Sequence, residues 1–100
     1  MSEIILSDIE IIPIRPQQGL LAFCTFVLNG DFFVGDVSIY SRLSGSGYRL
    51  VYPAKTLPNG AKINTFHPIN KEAAQAIDEQ VIGAFKELMK KVKTDNERNV

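Results

Sequence analysis

Residues 4–15 are rich in Ile, with Ile9 and Ile11 alternating against Asp8 and Glu10, the two-residue period of a half-buried strand. Pro13 and Pro16 have no N–H to give to a ladder, so this strand is expected at a sheet edge or to end there. Gln17-Gln18-Gly19 reads as a turn. Leu20 to Leu28 is apolar on both sides, with Leu20, Ala22, Cys24, Phe26 and Leu28 on one and Leu21, Phe23 and Val27 on the other. Such a strand is covered on both faces, by the chain's own helix or by a second subunit. Asn29-Gly30 follows, a hairpin signal, because both residues tolerate the positive φ of a type I′ turn. Phe32 to Tyr40 returns with Phe33, Val37 and Ile39 on one face and Asp36 and Ser38 on the other. Ser41 to Gly47 has loop composition, and Tyr48 to Tyr52 is a short strand stopped by Pro53. Pro58-Asn59-Gly60 is a further turn, and Ile63 to Phe66 one more short strand.

The period then changes. Pro68 discourages a helical start before it, and Asn70 is suited to cap the first orphan N–H groups of a helix. From there Ala74, Ile77, Val81, Phe85, Leu88 and Val92 recur at helical steps, widened by Ala73, Ile82, Ala84 and Met89. Strands followed by one helix predict an α+β fold: an antiparallel sheet of four to five strands with one long C-terminal helix packed on it. Residues 1–93 are expected to form a single domain and 94–100 a disordered tail.

Length and composition add bounds. A chain of 100 residues, 45% hydrophobic and 22% charged, suits one globular core. No apolar run approaches the ~20 residues of a membrane span, so no membrane insertion is expected. Met1-Ser2-Glu3 has no basic n-region, and a lone Cys24 forms no internal disulfide, so a reducing cytoplasm is expected. The 11 basic and 11 acidic side chains cancel. Their placement is uneven: Lys86, Lys90, Lys91 and Lys93 crowd together with only Glu87 among them. Any electrostatic footprint is local.

The chemistry-bearing residues do not assemble into a catalytic set. Cys24 lies in the most apolar strand, where a cysteine behaves as a small buried hydrophobe and not as a partner for His67, the single imidazole. One His and one Cys cannot close a zinc tetrahedron within a chain. Ser44-Gly45-Ser46-Gly47 lacks the spacing and lysine of a phosphate loop and reads as a hairpin tip. Neither an enzyme, nor a cofactor, nor a small-molecule substrate is expected. His67-Pro68-Ile69-Asn70 delivers the chain into the helix, with Ile69 placed to cover the first turn. Lys86, Lys90 and Lys93 share one helical face and could follow a phosphate backbone. Arg42, Arg49, Lys55 and Lys62, with Tyr48 and Tyr52 nearby, form a second, weaker candidate surface.

Phe33-Val34 leading to Asp36-Val37, then Pro53-Ala54-Lys55, Pro58-Asn59-Gly60 and His67-Pro68-Ile69-Asn70 before a helix, together resemble the SpoVG family of bacterial septation and sporulation proteins. The resemblance covers about residues 4–88. It implies a dimeric α+β regulator of septation, sporulation and related gene programmes that binds DNA and, in some members, RNA. It marks Pro53, Gly60, His67, Pro68, Ile69 and Asn70 as structural motif positions. The family tends to place two basic residues after Pro-Ser. Here Pro53-Ala54-Lys55-Thr56 keeps only Lys55, which describes a divergent member. The expected function is a non-enzymatic, homodimeric regulator binding DNA or RNA with modest selectivity through Lys55, Lys62, Lys86, Lys90, Lys91 and Lys93. The alternative is a protein–protein module of the septation machinery that binds no nucleic acid.

Overall fold

A computed structural model of the chain describes residues 3–43 and 47–98, with side chains as far as Lys91. Six strands precede one helix: β1 (Leu6–Gln17), β2 (Leu20–Leu28), β3 (Phe32–Ser41), β4 (Tyr48–Val51), β5 (Ala54–Thr56), β6 (Lys62–Asn64) and α1 (Lys71–Arg98). The first four form an antiparallel meander in the order β1-β2-β3-β4, and β5 and β6 form a separate two-stranded ribbon. The fold is therefore α+β, as the pattern predicts. Three-residue strands fall below what periodicity can detect, so β5 and the split into two sheets are additions to the expected four or five strands. The final helix reaches Arg98, so residues 94–98, expected as a tail, lie on α1. The 44–46 hairpin tip and the side chains of Val92 and Lys93 lie outside the described residues.

The turns follow their residue chemistry. Asn29 and Gly30 both have positive φ, and Asp31 N–H closes the turn on Leu28 C=O at 3.0 Å. Asn29 also binds the residue before β1 twice: its N–H donates to Ile5 C=O at 2.8 Å and its Oδ1 accepts from Ile5 N–H at 2.8 Å. In the Pro58 turn only Gly60 takes positive φ (89°), while Asn59 Oδ1 accepts from Ala61 N–H at 3.0 Å.

Two bulges reset the strand phase. Ser7 pairs with Val27 and Glu10 with Thr25, leaving Asp8 and Ile9 opposite one residue of β2. Cys24 pairs with Val37 and Phe26 with Val34, leaving Gly35 and Asp36 opposite Thr25. Asp8 (φ 49°) and Asp36 (φ 59°) supply the left-handed backbone at these two irregularities. An extra residue moves everything beyond it to the other face. Hence Val34 is buried with Val37 and Ile39, whereas Phe33, expected to share their face, points away and is 73% exposed.

One side of the meander carries the core. Leu6, Ala22, Cys24, Phe26, Val34, Val37 and Ile39 pack with Ile77, Val81 and Phe85 of α1. The helix stripe is met at Ile77, Val81 and Phe85, with Met89 packed against them, whereas Ala73, Ala74, Ile82, Ala84 and Leu88, expected in or beside it, are only half-buried and lie outside the core cluster. Asn70 caps α1: its Oδ1 accepts from Ala73 N–H at 2.7 Å, and its carbonyl takes Ala74 N–H at 3.1 Å.

Gln80 fastens the helix to the start of β1. Its Oε1 accepts from Leu6 N–H at 2.9 Å, while Nε2 donates to Ile4 C=O at 2.8 Å and Ala76 C=O at 3.0 Å. Gln80→Leu keeps the volume but strands two part-buried backbone groups, Leu6 N–H at the start of β1 and Ile4 C=O just before it, so a loss of about 1–3 kcal/mol is expected in urea unfolding. A loss under about 0.5 kcal/mol would show that water replaces the amide at no cost.

Candidate nucleic-acid interface

The ribbon that holds Lys55 and Lys62 is tied to the body at its base. Pro53 C=O accepts from Thr65 N–H at 3.1 Å and from Thr65 Oγ1 at 3.0 Å. Tyr52 packs on Phe66 with ring centroids 5.8 Å apart. At the tip, Leu57 N–H donates to Ala61 C=O at 2.7 Å, and Gly60 N–H donates to Leu57 C=O at 2.9 Å. Pro53 and Gly60 thus serve as base and tip of one element. Lys55 stands opposite Ile63, and Lys62 stands opposite Thr56. Successive pairs alternate faces, so the two lysines project from opposite sides of the ribbon, although both are exposed.

On α1, Lys86, Lys90 and Lys91 are exposed. Lys86 and Lys90 are separated by one helical turn and share a face; Lys91 is rotated toward Glu87. Lys93, predicted to extend the same face, has its side chain outside the described residues. Phe85 packs edge-on against Tyr48 at the start of β4 (5.2 Å, 73°), whereas the ribbon follows the end of β4. The α1 lysines and the ribbon lysines therefore lie toward opposite ends of β4 and make two patches.

The weaker candidates are absorbed by packing. The Tyr48 and Tyr52 rings sit against Phe85 and Phe66, so neither is a free platform for a base. Arg49 lies over the Tyr40 ring, 4.8 Å from its centroid. Arg42 Nε donates to Tyr48 C=O at 3.1 Å. Ile69, expected to cover the first turn of α1, is 85% exposed. The residue it would meet there is Ala74, whose methyl group offers too little surface to hold a staple. His67 is exposed, with Nδ1 3.0 Å from Pro68 C=O; a carbonyl only accepts, so the ring nitrogen donates.

Cys24 is completely buried, and burial pushes its thiol up to about 11, so it is no nucleophile and no partner for exposed His67. Burial also drives the Tyr52 phenol far above its ordinary range, with Asp78 and Cys24 adding to the shift. Its hydroxyl is buried and has no hydrogen-bond partner among the described residues. The Asp78 carboxyl is raised by burial, against the opposing pull of the Arg42 guanidinium. Among the described residues, no group of three or more His, Cys, Asp or Glu could hold a metal. Among the described residues, no helix is long and apolar enough to cross a membrane.

A further surface emerges from the sheet. On the face away from α1, Ile12, Phe23, Ser38 and Val51 form one cross-strand row, and Val27 pairs with Phe33. Ile12 is 49% exposed and Phe33 73%, so this apolar face is uncovered among the described residues. The second apolar side of β2 signals that face in the sequence, while Phe33 joins it only through the bulge at Asp36.

Three relatives align over most of their length and of this chain. Each bears the name "Putative septation protein SpoVG". The protein from Acholeplasma laidlawii is 24% identical over 84 residues, 84% of this chain and 87% of the relative. That from Clostridium novyi is 25% identical over 92 residues, 92% of this chain and 89% of the relative. That from Exiguobacterium sp. is 26% identical over 80 residues, 80% of this chain and 79% of the relative. The SpoVG family model matches residues 4–87, which takes in every strand and α1 past Phe85. The chain belongs to the SpoVG family.

Proposed function

We propose that this protein is a non-enzymatic regulator of septation or sporulation that acts in the cytoplasm as a homodimer and binds DNA or RNA. The observation that carries the nucleic-acid reading is the exposed lysine set on α1: Lys86, Lys90 and Lys91 stand clear of the core on a well-anchored helix. Lys55 and Lys62 add contacts from the ribbon. These side chains suit phosphates, and the aromatic rings nearest them are packed away, so selectivity is modest. The names borne by the aligned relatives support the septation role. The uncovered sheet face around Phe23 and Phe33 supports the dimer, since an apolar strand face of this kind calls for a cover.

The same apolar face favours a second reading, a module that docks on a protein of the division machinery and binds no nucleic acid. One assay separates the two. Labelled DNA and RNA oligonucleotides are titrated with micromolar protein at about 50 mM salt, where phosphate contacts are strongest. Binding to either supports the regulator. No binding to either leaves the protein-docking module.

A further inference from the structure

The outward ridge of α1 has a charge order that its own helix does not balance. Glu79 and Lys86 flank Ile82 and Gly83, and with about 3.6 residues per turn these positions lie close together, away from the Ile77–Val81–Phe85 core stripe. The helical neighbours of Glu79 are Gln75, Ala76, Ile82 and Gly83, and those of Lys86 are Ile82, Gly83, Met89 and Lys90. Neither charge meets an opposite one along the helix. Helix-dipole compensation does not account for them either, because both sit away from the terminal turns of Lys71–Arg98.

Between them the helix is hollow. Asp78, Glu79, Ile82, Gly83 and Lys86 line an open recess of about 320 Å³. A Cβ added at Gly83 would meet nothing within 4 Å, and the residue takes no positive φ, so the fold does not require glycine there. Glycine at an exposed position in mid-helix is nonetheless less stable than alanine by roughly 0.5–1 kcal/mol. An acid, an apolar knob, a hole and a base in that order are self-complementary when the helix meets a copy of itself running the other way.

We propose that α1 pairs antiparallel with α1 of a second copy about a two-fold axis near Ile82 and Gly83. Ile82 of each copy enters the recess left by Gly83 of the other, and Glu79 of each faces Lys86 of the other. The contact is isologous and lies on the opposite side of the molecule from the uncovered sheet face. It is small, so it forms at high protein concentration, and it joins sheet-paired dimers into a closed tetramer or an open chain. It also covers Lys86; to the extent that the nucleic-acid reading above holds, phosphate and self-pairing compete for the same ridge.

Sedimentation velocity without nucleic acid tests the contact independently of that reading. The unaltered protein should associate beyond its basal state as concentration rises. Glu79→Lys and Lys86→Glu, both at exposed positions, should each weaken that association at least about tenfold by setting like charges against each other. An equimolar mixture of the two variants should recover it, because the doubly basic and doubly acidic ridges complement one another. Circular dichroism that matches the unaltered protein confirms that both variants fold. A mass that stays constant with concentration, singles that associate normally, or a mixture that fails to recover would each overturn the pairing.

Discussion

Phe26→Ala is expected to cost about 3–5 kcal/mol of folding stability, the usual penalty for emptying a fully buried phenylalanine site. Phe26 is completely excluded from solvent and is the largest side chain so enclosed. It stands on β2 where both bulges converge: its pairing with Val34 bounds one, and the Ser7-to-Glu10 irregularity of β1 crosses its position. Neighbours held by two irregular strands have little freedom to collapse into the space, which favours the upper part of that range. For a domain of this size the change corresponds to a fall in melting temperature of roughly 12–40 °C, readily followed by circular dichroism. A loss below about 1 kcal/mol would mean that the core is not organised around β2.

The second large effect concerns binding. Replacing Lys86, Lys90 and Lys91 together by alanine removes three exposed charges from each chain and leaves every buried side chain in place. Stability should change by no more than about 0.5 kcal/mol, as for most surface substitutions. Affinity for DNA or RNA should fall by about a hundredfold or more at low salt, and almost uniformly across sequences, because phosphate contacts carry no base information. The same change at Lys55 and Lys62 should have a smaller effect, since those two project from opposite faces of the ribbon and cannot both face one backbone. An unchanged affinity in the triple variant would remove α1 from the interface.

Much of the fold is legible in the residue pattern. The alternation around Ile9 and Ile11, the two-sided strand from Leu20 to Leu28, the Asn29-Gly30 turn and the helical stripe through Ile77, Val81 and Phe85 all correspond to elements present. What escapes the pattern is phase. A bulge at Asp36 leaves composition and spacing ordinary while transferring Phe33 to the outer face, because an aspartate at positive φ looks in sequence like any polar strand residue. β5, and with it the pairing that makes a ribbon with the expected strand at Ile63, escapes for a different reason: three residues cannot show a period.

The candidate site divides the same way. The α1 lysines are legible because helical spacing places Lys86 and Lys90 on one side. The opposite facing of Lys55 and Lys62 depends on a ribbon register that Thr56 and Ile63 do not announce. Ile69 shows the limit of motif reasoning, since its place before the Asn70 cap suggests a staple, yet Ala74 gives it nothing to hold.

The central claim, recognition of nucleic acid through a local lysine surface on a chain of zero net charge, is tested most directly by how affinity depends on salt. The association constant for a labelled single strand or duplex is measured across a salt series, and its logarithm is plotted against that of the salt concentration. The account predicts a straight line of negative slope, about −0.7 per phosphate engaged for single strands and −0.9 for duplex. The slope should become shallower by close to one such increment for each α1 lysine removed. A slope near zero, or one indifferent to Lys86, Lys90 and Lys91, would contradict it.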